Sequence, residues 1–440
     1  MYFAYTLAAA LALLISSPWW LLKMLWSGKY RAGLSERLGR FPARLQFQAR
    51  RGRGIWVHAV SVGEVIAVGL LIAELRQRYP DHRIVISTTT EAGHKLARTR
   101  YGPENVFYFP VDLGFAIRPY LKKLRPALVV MAETEFWPNF LHLAKKMGAN
   151  IAVVNARISN RSFPGYRRWR GLLRRVLANA DLFLAQSEED QRRLLEIGAP
   201  PKRVRVSGNL KFDVKPAQQA PILAELKRAI ENCAAEPVLV FGSTAAGEEG
   251  TLLAAFREIL RPYPKALLVL APRRPERFDE VAALVDVAGL NCVRRSQWQA
   301  PHANAPDDRK LKLSGSVLLL DSIGELASVY SLAAVALVGG SLAPRGGHNI
   351  LEPAQFGIPI VVGPHMENFR DIIGVFRENQ AVLEVQEASA EGLAQVLLDL
   401  LRDEPKRAAV GAAALRVVQA QQGATARTLE ALKPFIGQAL

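Results

Sequence analysis

Four stretches of the chain carry residue types that could do chemistry, and each follows an apolar run. The run 55-IWVHAV passes into 61-SVGEV, where Ser61 can cap a helix, Gly63 permits a tight turn and Glu64 falls in the first turn, aimed at a cleft. A carboxylate there can accept a proton from an attacking hydroxyl, or merely complement the helix dipole for roughly a few tenths of a kcal/mol; taken alone, the second reading is favoured. The run 127-ALVVMAE ends in 133-ETEFWPN, which sets Glu133 and Glu135 on one face at strand spacing beside Trp137, a binding or catalytic pair. The run 266-ALLVLAP ends in 273-RRPER, whose guanidinium groups suit a phosphate or carboxylate. The run 334-AVALVGG ends in 339-GGSLAPRGGHNILEP. Here Gly346 and Gly347 let the backbone approach an anion, Asn349 can cap the next helix and Glu352 falls one turn inside it. That reads as a nucleotide phosphate site with a carboxylate for ribose hydroxyls.

Other engines are missing from the sequence. It contains no G-x-x-x-x-G-K-[ST], no G-x-G-x-x-G, no H-E-x-x-H and no Asp-x-Asp pair, and its seven histidines are scattered without metal-ligand spacing. The expectation is a protein that works without a bound metal or cofactor. Two cysteines, Cys233 and Cys292, exclude a disulfide framework and fit a reducing compartment.

The elements that must position these residues repeat one theme after residue 54: a short β-branched run, a turn, then a helical pattern. Besides the four runs above, 83-RIVIST, 106-VFYFP, 151-IAVVNA, 182-LFLAQS, 204-VRVSG, 237-PVLVFGS, 316-SVLLLDS, 359-PIVVGP and 381-AVLEV read as strands. Continuous apolar runs without alternation predict strands buried on both faces of a parallel sheet. Thirteen strands exceed one open sheet, and 440 residues exceed one core. The polar, proline-flanked 213-DVKPAQQAP marks the division. The predicted fold is α/β, two doubly wound Rossmann-like domains facing a cleft, with an anchor over 1–26, a first domain over 27–215 and a second over 216–440.

Met1 to Leu22 contains no charged side chain and as a helix spans roughly 33 Å, the thickness of a hydrocarbon core. Trp19, Trp20 and Trp26 lie near its far end, and nine basic residues follow from Lys23 to Arg53 against one acid, Glu36. The charge order is the reverse of a signal peptide and places the rest of the chain in the cytoplasm. A helix lying in the interface stays open, because Pro18 could end a shorter segment. Lys and Arg number 57 against 40 acids, a formal charge of +17 that predicts anionic partners. A second basic cluster, Arg157 to Arg175, is interleaved with Phe163, Tyr166 and Trp169, which suits anionic membrane lipids or a phosphorylated lipid. Nucleic acid is disfavoured, for want of a recognition motif.

Taken in order, HAVSVGE, ETEFWPN, NARIS, GNLKFD, APRRPERF and GGSLAPRGGHNILEP after a hydrophobic start resemble the 3-deoxy-D-manno-octulosonic acid (Kdo) transferases. The resemblance implies a metal-independent, inverting glycosyltransferase of the two-Rossmann-domain, GT-B type. Such enzymes move Kdo from CMP-Kdo onto the lipid A precursor, at the cytoplasmic face of a Gram-negative inner membrane. It further implies a catalytic base at Glu64 and CMP contacts at Arg273, Arg274, Ile323, Gly324, Glu325, Asn349, Ile350, Leu351 and Glu352. Histidine is common in this family where Arg274 stands, which puts a titrating role there in doubt. Glu133, Glu135 and Lys211 lie in family-like blocks as acceptor-side or supporting residues. A sugar-nucleotide epimerase on the same fold would need neither anchor nor lipid site.

Overall fold

The computed structural model describes residues 1–19, 33–45, 54–213, 222–298 and 312–437, and the backbone alone for 20–27. Two compact units form, Met1–Asp213 with Gln421–Leu440, and Val214–Ala420. The stretch 214–221, which carries most of the polar segment marking the expected division, lies outside the described residues.

In the first unit the strands are β1 Ile55–His58, β2 Ile84–Thr88, β3 Val106–Tyr108, β4 Leu128–Ala132, β5 Asn150–Ala156, β6 Leu182–Ala185 and β7 Val204–Val206. They pair in the order β3-β2-β1-β4-β5-β6-β7, parallel throughout. β1, β2, β3, β4 and β6 are buried at every residue, as unbroken apolar runs require, and helices cover both faces. Strand order reverses between β1 and β4, and in doubly wound sheets the crevice beyond such a reversal takes the ligand.

The second unit holds β8 Val238–Thr244, β9 Leu267–Pro272, β10 Asn291–Arg294, β11 Ser316–Leu319, β12 Val335–Val338, β13 Ile360–Val362 and β14 Leu383–Glu384. The order is β10-β11-β9-β8-β12-β13-β14, reversing between β8 and β12. Thirteen of the fourteen strands match apolar runs. The exception is β10, an edge strand whose Asn291, Cys292, Val293 and Arg294 are exposed or half-buried, so burial never imposed an apolar run on it.

Two features depart from the sequence reading. The helix Ala424–Ile436, which that reading gave to the second domain, belongs to the first unit. Asp213 accepts the Gly423 N–H at 2.7 Å and also the Thr425 N–H, the Arg427 guanidinium donates to the Ser207 carbonyl at 2.7 Å, and Leu429, Leu432 and Ile436 enter the core beside β1. The amino-terminal helix, Tyr2–Ser27, runs straight through Pro18 instead of ending there. Proline removes the N–H that would bond the Leu14 carbonyl, and Ser17 Oγ donates to that carbonyl at 2.7 Å in its place.

Leu432→Ala should lower the stability of the first unit by about 2–5 kcal/mol, the cost of emptying a fully buried leucine site. Urea unfolding followed by tryptophan fluorescence measures it. A loss well under 1 kcal/mol would mean that the terminal helix is not part of this core.

Candidate active site

The loop after β1 is built around Glu64. The helix that follows, Val62–Ala67, has Ser61 at its N-cap position, but the Ser61 hydroxyl does not cap it. Glu64 instead folds back one turn: its Oε2 accepts the Val60 N–H at 2.8 Å and its Oε1 accepts the Ser61 hydroxyl at 3.0 Å. Glu64 as a whole is 7% exposed. Burial pushes its pKa up to about 7; the charges of Glu133 and Glu135 push the same way, while the Val60 and Ser61 hydrogen bonds pull it back. Glu64 is therefore half-ionised near neutrality, the poise a general base needs.

Glu133 and Glu135 share that neighbourhood, though not by strand spacing. β4 ends at Ala132, and Glu133 takes a left-handed backbone, φ 57°, while its N–H donates to the Val154 carbonyl of β5 at 2.9 Å. The turn, not a pleat, brings the two carboxylates together. Lys211 Nζ donates to Glu133 Oε1 at 3.1 Å. Lys211 is placed by Asn155, also left-handed at φ 53°, whose Oδ1 accepts the Leu210 N–H at 2.9 Å. Glu135 is held above the usual carboxylate range by burial first and by Glu133 second. The structure thus joins Glu64, Glu133, Glu135 and Lys211 beyond the β1/β4 reversal. His58 opens the same motif but is fully buried, stacked on Phe109 with Nδ1 2.9 Å from Ser87 Oγ; burial lowers its pKa to about 3, so it pins β1 to β2 as a neutral ring.

The second unit gathers its candidates beyond the carboxyl ends of β8, β9, β11 and β12. Arg273 follows β9; its N–H donates to the Thr244 carbonyl at 3.0 Å, and its exposed guanidinium makes no ion pair with a described residue. That charge reaches His348 and Glu352: it adds to burial in lowering the His348 pKa, and opposes the burial that raises Glu352. Arg274 is exposed, 4.0 Å from Glu276. In the run after β11, Ile323 is 82% exposed and Gly324 has φ 90°, but Glu325 is already engaged by Arg295 through two hydrogen bonds of 3.1 and 3.0 Å.

The glycine-rich run after β12 differs from expectation in three ways. The helix opened by Asn349 is one turn, Leu351–Ala354, so Glu352 lies in its first turn, and Asn349 Oδ1 accepts the Leu351 N–H at 3.2 Å. Ile350 and Leu351 are core side chains, leaving only their backbone for a ligand. Gly346 and Gly347 also serve the protein's own backbone: both are left-handed, φ 86° and 76°, and a Cβ would meet the Asn368 side chain at the first and the Met366 side chain at the second. Sequence reasoning also missed Glu248. It is 1% exposed and accepts N–H groups from Ala245, Gly340 and Leu342, each at 2.8 Å, and from Ala343 at 3.1 Å, tying the β8 loop to the β12 loop across the reversal. His348 was likewise passed over; its ring lies so near Gly340 that any side chain there would collide with it. No group of three metal-ligating side chains occurs among the described residues.

Two parallel sheets, each reversing strand order under a cluster of polar residues, give an α/β protein with the GT-B type of fold. A UDP-GlcNAc 2-epimerase from Neisseria meningitidis has the same fold, with a TM-score of 0.51, 13% identity and coverage of 87% of this chain and 100% of that one. The C-terminal CMP-Kdo binding domain of WaaA from Acinetobacter baumannii is 36% identical, covering 45% of this chain and 99% of that one, with a TM-score of 0.39. A family model described as 3-Deoxy-D-manno-octulosonic-acid transferase (kdotransferase) matches residues 32–214. The 3-deoxy-D-manno-octulosonic acid transferase of Haemophilus influenzae is 34% identical over 417 residues, 93% of each chain. The chain belongs to the Kdo transferase family.

The Glu64 carboxyl should titrate near pH 7 in carbon-detected NMR of the free protein, and Glu133→Gln should move that titration downward by removing a neighbouring negative charge. Titration in the ordinary range near 4 in both proteins would contradict the burial described here.

Proposed function

We propose that this chain transfers Kdo from CMP-Kdo to the lipid A precursor, lipid IVA, in lipopolysaccharide biosynthesis, with inversion at the anomeric carbon and without a metal. The observation that carries the proposal is Glu64, a buried carboxyl poised near neutrality at the reversal point of the first sheet. Family membership supplies the reaction, and the residues supply the roles.

An acceptor hydroxyl attacks the anomeric carbon from the face opposite CMP. As that bond forms, the hydroxyl proton passes to Glu64. The bond from the anomeric carbon to the phosphate oxygen breaks with its electron pair, and CMP departs. Arg273, free of any described partner, stabilises the charge growing on the phosphate, with Arg274 beside it. Asn349 and Glu352 hold the ribose side of the nucleotide, the main chain at Ile350 and Leu351 adds donors, and Ile323, Gly324 and Glu325 flank it. Glu133, Glu135 and Lys211 support the acceptor, and the two carboxylates among them keep Glu64 basic. Both substrates are anionic, in keeping with the formal charge of +17. The helix Tyr2–Ser27, whose Tyr2–Trp19 stretch is long and apolar enough to cross a membrane, anchors the chain to the inner membrane with the catalytic units on the cytoplasmic side.

Purified protein incubated with CMP-Kdo and tetra-acylated lipid A precursor should add Kdo mass to the lipid, read by mass spectrometry, with EDTA present. Glu64→Gln keeps shape and removes basicity, and turnover should fall by roughly 10²-fold or more while CMP affinity hardly changes. Near-normal turnover in Glu64→Gln would transfer the base to Glu133 or Glu135.

A further inference from the structure

The start of the amino-terminal helix is not free. The Tyr2 ring stacks on His142, with centroids 4.0 Å apart and planes at 15°. Its hydroxyl donates to the Arg175 carbonyl at 3.2 Å and accepts from Asn179 Nδ2 at 2.7 Å. Thr6 Oγ1 lies 3.1 Å from Asn139 Oδ1, and Asn139 is itself fixed by Asp112 through bonds of 2.7 and 3.1 Å. Met1 packs against the core of the first unit. Three of these contacts moor the first turns to the helices Pro138–Lys146 and Arg170–Leu177, a fourth to Asn179, two residues beyond the latter, and the packing of Met1 is a fifth.

The other end of the helix is tethered to the same unit. From Gly33 the chain packs on it again: Glu36 Oε2 accepts the Tyr108 N–H at 3.0 Å, Tyr120 donates to the Glu36 carbonyl at 2.9 Å, and Phe41 lies against Tyr120. Between Ser27 and Gly33 the chain can reach roughly 22 Å at most. A helix crossing a hydrocarbon core of about 30 Å puts its two ends on opposite sides. Here both ends are bound to one soluble unit.

The faces of the helix agree with this. Phe3, Leu7, Leu11, Leu14 and Ile15 recur at helical spacing and are 48–82% exposed. They lie on the side away from Tyr2 and Thr6. Only the first turns are moored; from Leu11 to Ile15 the helix is exposed all round, Leu13 included, so an uncovered apolar length lies beside the unit and can rest along a bilayer. Next to the mooring, the segment 163–177 exposes Trp169 and Leu172 among Arg167, Arg168, Arg170, Arg174 and Arg175, none of which forms an ion pair with a described residue. Aromatic, apolar and unpaired basic groups together match an interface of anionic headgroups over acyl chains.

We propose that the helix Tyr2–Ser27 does not cross the membrane but lies in its cytoplasmic interface, moored by Tyr2 and Thr6, with the Arg167–Arg175 cluster on the same anionic surface. This rests on the cytoplasmic-side anchoring proposed above. Of the expected amino-terminal basic residues, Arg37 and Arg44 play no part in it. The Arg37 guanidinium lies over the Tyr108 ring at 4.4 Å, and Arg44 pairs with Glu36 at 2.6 Å. Lys29, Arg31, Arg50, Arg51 and Arg53 lie outside the described residues, as do the side chains of Trp20, Lys23 and Trp26.

The test uses the full chain, with an epitope tag ahead of Met1, expressed in a Gram-negative host. Protease is added to intact spheroplasts and, separately, to inverted inner-membrane vesicles. The expected result is loss of the tag in inverted vesicles and its survival in spheroplasts. Cleavage in intact spheroplasts would show a crossing helix and overturn the proposal. Resistance in both would put the start of the helix inside the bilayer and overturn it too. Kdo transfer measured in the inverted vesicles separates the two readings: transfer together with a tag cleaved in spheroplasts rejects only the interfacial helix, whereas a tag that survives in spheroplasts and is lost in inverted vesicles, without transfer, rejects only the activity.

Discussion

A carboxylate placed where a parallel sheet reverses its strand order must either collect enough donors to stay charged or lose affinity for its charge. Each sheet of this protein has a glutamate at that place, and the two are held in different ways. Glu248 collects four backbone N–H groups and becomes part of the scaffold, clamping the loops after β8 and β12. Glu64 collects two donors, Val60 and Ser61, and has two further carboxylates as neighbours. Burial first, and the charges of Glu133 and Glu135 beside it, lift its pKa to about 7 against the pull of those two hydrogen bonds, and leave it able to exchange a proton at working pH.

The supporting residues follow from that constraint. Glu133 and Asn155 sit in left-handed conformations at the carboxyl ends of neighbouring strands. Such backbone costs on the order of 1–3 kcal/mol each and persists only where the surrounding packing over-determines it. Here it is fixed by the Glu133 N–H on Val154 and by Leu210 on Asn155. The outcome is that Lys211 neutralises Glu133 and leaves Glu64 and Glu135 without a cation of their own among the described contacts. In the second unit Arg273 makes no ion pair with a described residue, and its charge is felt at His348 and Glu352. The proposed proton acceptor and the proposed anion holder are thus built from the same kind of loop.

Much of this was legible in the residues because burial on both faces imposes apolar runs, and thirteen strands announced themselves that way. β10 did not, since an edge strand with Asn291 and Arg294 escapes that pressure. The membership of Ala424–Ile436 in the first unit depends on Asp213 and Arg427 meeting partners some two hundred residues away, which local pattern does not encode. Glu64 was legible from its place after a strand and from the family resemblance. Its fold-back onto Val60 was not, because Ser61 offered the more familiar cap. Gly346 and Gly347 were only half legible: glycine permits close approach, but the sequence does not show that Asn368 and Met366 are among the groups that approach.

The central claim is that a carboxyl group held near neutral pKa by burial takes the acceptor proton. The pH dependence of kcat/KM for Kdo transfer tests it most directly. The account predicts that the rate rises with pH along an acidic limb with an apparent pKa near 7, as Glu64 loses its proton in the free enzyme, and that this limb moves to lower pH in Glu133→Gln. A profile flat from pH 5 to 8, or a limb that Glu133→Gln leaves in place, would contradict it.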